Sequence, residues 1–327
     1  MKQMDVLCLG LINLNLMLGP VDAHIFQRDV TLIPGFSALV GGDAVNEAVV
    51  LSALGNATGV AGKVGADEFG EIALAALQKA GVNTSQIRAA TACGTSSCAV
   101  LFGESGVRNF VSYRGANEAF CLEDFDFSIL PQLRAISVGS MFALKSLDGA
   151  GVCQILQKAR EQGVHTLADM KSDTYGIGYA GIVQVMPWLD YFLPSLDEAA
   201  YLTGLSAPEE MAQRFLADGA GHVVIKLGAE GCYYRSAFAE GYLPVFPVAA
   251  VDTTGAGDNF VAGFLHGLLR GLDLRGCALV GSATGAASVT QVGATAAVKN
   301  IQQIYHMLQG SAEGRALVQK LCKEEPT

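Results

Sequence analysis

The chain has 327 residues, of which 51% are hydrophobic and 16% charged, and its net charge is −10. This length and apolar content exclude a disordered chain and fit one compact α/β enzyme with a large core. The negative charge argues against nonspecific nucleic-acid binding, because such binding depends on Lys and Arg to neutralise phosphates.

Signals for membranes and metals are also missing from the sequence. No apolar run reaches membrane-spanning length, and the first five residues lack the apolar core of a secretion signal. The eight cysteines form no CxxC pair and the five histidines show no ligand spacing, which is typical of reduced core thiols and argues against a structural zinc site. We therefore expect a cytoplasmic protein whose partners are small molecules, with no membrane and no nucleic acid among them.

Short apolar runs alternate with helical patterns along the chain. Strands are predicted at 5–10, 135–139, 165–169, 191–194 and 222–227. Helices are predicted at 45–54, 71–80, 151–162, 196–202 and 260–271. This alternation predicts a doubly wound, mostly parallel sheet flanked by helices on both faces. Functional sites of such sheets lie at the carboxyl ends of the strands.

Two segments, 11–40 and 92–116, break the alternation. They contain runs that favour β structure, with a turn at 103–106. We expect a small β appendage, the alternative being extra edge strands of the main sheet. The α/β core then consists of residues 1–10, 41–91 and 117–327.

Residues 252–258 read Asp-Thr-Thr-Gly-Ala-Gly-Asp and directly precede the last predicted helix. The amides of Gly255, Ala256 and Gly257 would lie free at a helix N-terminus, where the helix dipole favours a phosphate. Asp258 would stand beside that anion as a base. The alternative is a simple helix cap, but a cap explains neither the two glycines nor the preceding Asp-Thr-Thr. The pattern predicts a phosphoryl-transfer site.

This stretch resembles the C-terminal motif of the ribokinase-like (PfkB) family of sugar and nucleoside kinases, and the match is complete over residues 252–258. The resemblance implies that Asp258 takes the proton of the substrate hydroxyl and that residues 255–257 form the anion hole. It also implies that Asp252 and Thr254 hold a monovalent cation, for which K⁺ is the candidate.

A second stretch, with Gly41, Gly42, Asp43 and Asn46, is similar to the N-terminal motif of the same family, and residues 62–70 continue the likeness. The glycines let the backbone approach a sugar, and Asn46 offers both a donor and an acceptor to a hydroxyl. Alone, this stretch would predict only a turn and a helix cap. The resemblance implies that these four residues bind the substrate.

Asn13 and Asn15 follow the first predicted strand and resemble the Asn and Asp with which ribokinase binds sugar hydroxyls. The amide at Asn15 departs from that pattern and argues against ribose itself. Asp43 suits a hydroxyl-rich acceptor and is similar to the Gly-Gly-Asp of some kinases of keto-deoxy sugar acids. For an acidic acceptor, Arg108 or Arg114 would supply a cation, the alternative being that both are solvated surface charges.

The nucleotide side is carried by two further matches. Glu198 resembles the carboxylate of the family's Asn-x-x-Glu motif that is linked to Mg²⁺, although Ser195 replaces the Asn and Glu198 alone could be an ordinary helix carboxylate. Lys226, Gly228 and Gly231 resemble the strand and turn that border the nucleotide. The resemblance implies ATP and Mg²⁺. It also implies that the segments 11–40 and 92–116 form a β lid over the substrate, through which a homodimer is expected.

Two competing motifs are rejected. Residues 176–181 fit GxGxxG, but the preceding predicted strand ends near Asp169 and Pro187 would cut a following helix short, so we predict a loop there. Gly62 and Lys63 are followed by Val64 in place of Ser or Thr, so they form no P-loop.

The sequence therefore predicts an ATP-dependent kinase that phosphorylates a hydroxyl of a sugar or sugar derivative. One alternative is a nucleoside kinase of the same family, in which Phe110 or Tyr113 would stack on the base. Another is a sugar or nucleotide sensor without catalysis. Asp258 argues against the sensor, because a sensor has no use for a base.

Overall fold

The computed structural model describes residues 4–103 and 108–324, with side chains to residue 321. The strands of its larger sheet are β1 (Val6–Leu9), β4 (Thr58–Gly65), β5 (Asn83–Ala90), β8 (Ala135–Met141), β9 (His165–Met170), β10 (Tyr191–Phe192), β11 (His222–Lys226), β12 (Cys232–Ser236) and β13 (Glu240–Leu243). These nine strands lie in the order β13-β12-β11-β10-β9-β8-β1-β4-β5. All neighbours from β11 to β5 pair in parallel, and at one edge the two pairings β11–β12 and β12–β13 are antiparallel.

Helices cover both faces of this sheet, which confirms the predicted doubly wound fold. Successive residues of β1 point to opposite faces, so Val6 and Cys8 join one core while Leu7 and Leu9 join the other. One face packs α1 (Asp43–Ala53), α2 (Glu68–Lys79), α7 (Ala256–Leu269), α8 (Leu274–Ser288), α9 (Ile301–Leu308) and α10 (Ala312–Glu324). The other packs α3 (Ala150–Glu161), α4 (Gly178–Val183), α5 (Leu196–Thr203) and α6 (Pro208–Ala217). No helix in the described part of the chain is long and apolar enough to cross a bilayer.

The smaller sheet is built from the two segments that interrupt the alternation. Its strands are β2 (Asn13–Gly19), β3 (Gly35–Gly41), β6 (Ser97–Phe102) and β7 (Arg108–Tyr113), and they lie in the order β3-β2-β6-β7. They form a sheet of their own, and the alternative of extra edge strands on the main sheet is wrong. The turn predicted at 103–106 falls largely outside the described residues.

The prediction of a loop at residues 176–181 is wrong in part. The chain forms the short helix α4 from Gly178, because the Asp173 carboxylate accepts the amides of Ile177 and Gly178, and Ile182 is buried in the core. No strand leads directly into this helix, since β9 ends at Met170. The rejection of a dinucleotide fingerprint therefore holds.

The predicted helix at 260–271 begins four residues earlier than expected. Gly255 adopts the left-handed conformation with a φ of 75° and forms the N-cap, so α7 starts at Ala256 and includes Asp258 in its first turn. Helix α1 likewise begins at Asp43, directly after Gly42. Both motifs are thus helix N-termini at the carboxyl edge of the large sheet.

Gly42 is required by the entry into α1, and we predict that Gly42→Ala lowers the free energy of unfolding by about 3 kcal/mol. Its φ is 113°, and an added Cβ would overlap the Leu11 carbonyl oxygen. The matched control is Gly55→Ala just beyond the other end of α1, where φ is 87° but nothing lies within 4 Å of the added Cβ. That change should cost about 1 kcal/mol. Urea unfolding measures both, and equal losses would contradict the assigned overlap.

Candidate active site

Asp258 joins the two helix N-termini. Its Oδ2 accepts a hydrogen bond from Asn46 Nδ2 at 2.7 Å, although the two residues are 212 positions apart. Asn46 lies on α1 and Asp258 in the first turn of α7. The structure therefore brings together the two residues that the separate motifs single out.

The three predicted anion-hole residues form the turn into α7. A Cβ at Gly255 would come within 2.7 Å of the Ala294 Cβ, and one at Gly257 within 3.1 Å of the Lys226 Nζ. Glycine is needed at Gly255, where φ is positive and the Ala294 backbone also lies close, whereas at Gly257 the Lys226 side chain would only have to shift slightly. The Ala256 amide donates to the Thr253 carbonyl at 3.2 Å, so an anion bound here competes with that carbonyl for the amide.

Asp43 is already paired, a feature that the sequence did not indicate. Its Oδ1 lies 3.0 Å from Lys171 Nζ, and its Oδ2 accepts from Ser140 Oγ at 3.0 Å. Ser140 in turn accepts the Leu11 amide at 3.1 Å. The Lys171 side chain is 44% exposed while Asp43 is buried. The charge that Asp43 contributes to the open side of the cleft is therefore neutralised by an ammonium group.

The two asparagines after β1 lie on the same side of the site. Asn13 Oδ1 accepts from Ser96 Oγ at 2.6 Å and from Asn117 Nδ2 at 2.8 Å. The Asn15 amide nitrogen lies 2.6 Å from the position that a Cβ would take at Gly41. Gly41 thus leaves room for the Asn15 side chain, and the predicted substrate residues form one cluster with α1.

Lys226 and Glu198 lie on the opposite side of the cleft. The Lys226 ammonium forms an ion pair with the buried Asp169 carboxylate. Glu198 caps α5 through a reciprocal pair in which its Oε2 accepts the Ser195 amide at 2.7 Å. The Ser that replaces the family's Asn is therefore a helix cap. Gly231 has a different role from the other predicted residues. It lies directly against the Leu243 carbonyl oxygen, which an added Cβ would overlap.

A cleft of about 350 Å³ connects these groups at the carboxyl ends of the strands. It is lined by Asp43, Asp169, Met170, Lys171, Ser195, Glu198, Lys226, Gly228, Thr253, Gly255, Ala256, Gly257 and Asp258. Sequence reasoning missed Asp169 and Lys171 in this set. Their position at the end of a predicted strand was the available signal, because sites in such sheets lie there.

The crowded carboxylates perturb one another. Burial and the nearby Asp43 raise the pKa of Asp258 to about 8, although the Asn46 hydrogen bond and the Lys171 charge act in the opposite direction. Burial also raises the pKa of Asp169 to about 6, against the attraction of Lys226. Asp43 raises the pKa of Lys171 above its usual value. Asp258 is thus a carboxyl group with a basicity suited to proton abstraction near neutral pH.

Asp252 is held by neighbours on both of its oxygens. Oδ1 accepts from the Thr254 amide at 3.0 Å and from the Thr254 hydroxyl at 2.7 Å, and Oδ2 accepts the Gly293 amide at 2.9 Å. Arg108 of β7 lies 3.2 Å from Oδ1. Against the effect of burial, these hydrogen bonds hold the pKa of Asp252 well below its usual range. Arg108 therefore reaches the 252–254 segment and is not a free cation for an acidic acceptor.

Comparisons with known proteins agree with this architecture. The pattern of the pfkB family of carbohydrate kinases matches residues 3–301. A 2-dehydro-3-deoxygluconokinase of Bacillus subtilis is 30% identical over 79% of this chain and 83% of its own length. An uncharacterized sugar kinase of Archaeoglobus fulgidus is 30% identical over 75% of this chain and 96% of its own.

Solved structures show the same fold. A ribokinase from Thermotoga maritima superposes with a TM-score of 0.81 at 20% identity, over 94% of this chain and 99% of its own. A fructokinase with bound ATP from Xylella fastidiosa gives a TM-score of 0.78 at 23% identity, with the same coverage of 94% and 99%. The chain belongs to the pfkB family of carbohydrate kinases, and the predicted enzyme class and ribokinase-like fold are confirmed.

We predict that Lys171→Met raises the pKa of Asp258 above its value in the unmodified protein. The Lys171 ammonium favours the ionised carboxylate, so its removal leaves Asp258 facing Asp43 without that attraction. Carboxyl ¹³C NMR of the aspartate-labelled protein measures the shift directly. Lys158→Met is the control. Lys158 lies on α3, with its ammonium group over the Phe127 ring, so its removal should leave the Asp258 titration unchanged. An unchanged or lower pKa in Lys171→Met would contradict the assigned pairing.

Proposed function

We propose that this chain transfers the γ-phosphoryl group of ATP to a hydroxyl of a sugar or sugar derivative in the cleft between α1 and α7. The observation that carries the proposal is the hydrogen bond between Asn46 and Asp258. It sets a basic carboxyl group beside the amides of the α7 N-terminus, with the asparagine cluster on one side and Lys226 on the other. The names of the relatives, which include a 2-dehydro-3-deoxygluconokinase and fructokinases, support a sugar-like acceptor.

In the proposed reaction, Asp258 accepts the proton of the acceptor hydroxyl as its oxygen attacks the γ-phosphorus and the bond to the β-phosphate oxygen breaks. The protein does little covalent work in such a transfer, so it accelerates the reaction by alignment and by stabilising charge. The amides of Gly255, Ala256 and Gly257 would stabilise the charge that the equatorial oxygens of the transferred group gain. Asp258 later releases its proton to solvent.

The cleft residues fit a Mg²⁺ that enters together with ATP. No cluster of three or more His, Cys, Asp or Glu that suits a metal occurs within residues 4–103 and 108–321. Mg²⁺ commonly binds through one or two carboxylates, water and substrate phosphates. Glu198 lines the cleft and keeps its Oε1 available beside Asp169 and Lys226, so these residues fit a Mg²⁺ that enters with ATP and neutralises phosphate charge. No step of the proposed function depends on K⁺.

The smaller sheet would act as the lid. Asn15 and Leu39 pair on the face that looks toward Asn46, so substrate would lie beneath this face. A lid excludes water and thereby suppresses ATP hydrolysis. The cytoplasmic location stays a prediction from the sequence.

The outer face of the same sheet is apolar, and we propose that it forms a homodimer interface. The pairing places Leu16, Leu18, Leu101 and Val111 on this face together with Phe36. Phe36 is 63% and Val111 58% exposed. Leu16, Leu18 and Leu101 are half-buried between them. Exposed apolar side chains that share one face of a sheet are typical of a protein interface.

Val111→Asp should convert the dimer to a monomer, because a carboxylate buried at the centre of an apolar interface has no partner there. Light scattering after size-exclusion chromatography measures the mass. Phe238→Asp is the control, since Phe238 is exposed but lies outside the smaller sheet and should leave the mass unchanged. A wild-type mass of one chain would overturn the proposed dimer.

Asp258→Asn should keep MgATP binding and lose about a thousand-fold in turnover, because the amide still accepts the Asn46 hydrogen bond but takes up no proton. A coupled ADP-release screen over sugars, sugar acids, amino-sugar derivatives and nucleosides identifies the acceptor. Calorimetry with MgATP measures binding separately.

Asp22→Asn is the matched control, since Asp22 forms an exposed ion pair with Arg28 away from the cleft, and it should retain full activity. Near-normal turnover in Asp258→Asn would contradict the assignment of Asp258 as the base. A nucleoside as the best acceptor would favour the nucleoside kinase, and wild-type protein that releases no ADP with any compound would favour a sensor.

A further inference from the structure

Arg108 connects the smaller sheet to the segment that leads into the anion hole. It is the first residue of β7 and pairs with Phe102 of β6. Its Nη1 donates to Thr254 Oγ1 at 2.5 Å, and its Nη2 lies 3.2 Å from Asp252 Oδ1. The guanidinium group is a planar fork that suits two such neighbouring acceptors.

The hydroxyl of Thr254 bonds to both charged side chains of the ion pair. Thr254 Oγ1 donates its proton to Asp252 at 2.7 Å and accepts from Arg108. The Asp252 side chain is only 6% exposed and that of Arg108 30%. A carboxylate buried to this degree needs a cation or several donors nearby, and Arg108 supplies the cation.

Asp252 in turn fixes the loop that packs against the anion hole. Its Oδ2 accepts the amide of Gly293 at 2.9 Å, and the next residue, Ala294, lies directly against Gly255. Asn259 Nδ2 ties the two segments together by donating to the Gly255 and Ala294 carbonyls, both at 2.7 Å. A chain of contacts through Asp252, Gly293 and Ala294 thus connects Arg108 to the first residues of α7.

We propose that Arg108 is a positioning residue that holds the Asp252–Thr254 segment, and through it the anion hole, by a charge attached to the smaller sheet. The family resemblance predicts a monovalent cation at Asp252 and Thr254, and the guanidinium group is bound to one side-chain oxygen of each, Asp252 Oδ1 and Thr254 Oγ1. Those two oxygens are therefore not open to a free K⁺ while Arg108 is bound. The effect on phosphoryl transfer rests on the proposed function, whereas the effect on the segment does not.

Hydrogen exchange tests, without any substrate, whether Arg108 holds the Asp252–Thr254 segment. In Arg108→Ala, the amides of residues 252–257 should exchange faster, and guanidinium chloride below its denaturing range should slow them again, whereas equal NaCl should not. Arg108→Gln keeps the side-chain stem without the charge and should behave like Arg108→Ala. Arg28→Ala is the control, because it removes an exposed arginine that pairs only with Asp22 at the surface.

Turnover with the best acceptor from the ADP-release screen tests the effect of Arg108 on phosphoryl transfer. Arg108→Ala should lose about ten-fold in kcat, regain part of it with guanidinium, and keep the KM for MgATP. Unchanged exchange in Arg108→Ala overturns the proposal, and so does wild-type turnover that requires KCl, since a free ion would then supply the charge assigned to Arg108. If wild-type protein phosphorylates none of the compounds, the proposed kinase function is wrong, but the exchange result still decides whether Arg108 holds the segment.

Discussion

Three aspartates crowd the carboxyl edge of the large sheet, and their mutual repulsion is the constraint that the rest of the site satisfies. Asp43 and Asp169 are each paired with a lysine, Lys171 and Lys226 respectively. Asp258 receives a hydrogen bond from Asn46 in place of an ion pair. The group with no directly bound cation is therefore the one whose pKa rises to about 8.

A fourth carboxyl group shows how strict this constraint is. Glu47 follows Asn46 on α1 and is fully buried. Burial, together with the charges of Asp258, Asp169 and Asp43, raises the pKa of Glu47 well above its usual range. The direction of this shift has a simple cause, because the low-dielectric interior beneath the cleft disfavours a further unpaired anion. Asp258, the proposed base, lines the cleft itself.

The sequence predicts those parts of the site that depend on local backbone geometry. A Gly-Ala-Gly turn before a helix presents free amides wherever the helix lies, so the motif by itself is enough to assign residues 255–258 to a helix N-terminus. The same holds for Gly42 at the start of α1. The apolar periodicity does not predict the first turn of α7, because its glycines carry no apolar pattern. It does not predict α4 either, because that helix is capped by Asp173, five residues before its first residue.

Pairings between distant segments are beyond sequence reasoning. Nothing local distinguishes Lys171 or Arg108 from the solvated surface charges that most lysines and arginines are. Their partners, Asp43 and Asp252, lie more than a hundred residues away and are brought close only by the order of the strands. The sequence consequently indicates Asp43 as a free substrate carboxylate and leaves Arg108 open between an acceptor cation and a solvated surface charge, whereas each is engaged with the opposite charge.

The ion pairs Lys171–Asp43 and Arg108–Asp252 connect different parts of the fold. Lys171 follows β9 of the large sheet, so its charge is fixed relative to Asp258, whereas Arg108 belongs to the smaller sheet and reaches the 252–254 segment from outside the core. If the smaller sheet rises to admit substrate, Asp252 loses its cation while Asp43 keeps its own. Opening therefore weakens the support of the anion hole but leaves the pKa environment of the base intact. Under the proposed function, a site divided in this way would keep the surroundings of Asp258 constant while the smaller sheet moves, and would complete phosphate binding only when the acceptor is covered, which is the order that protects ATP from water.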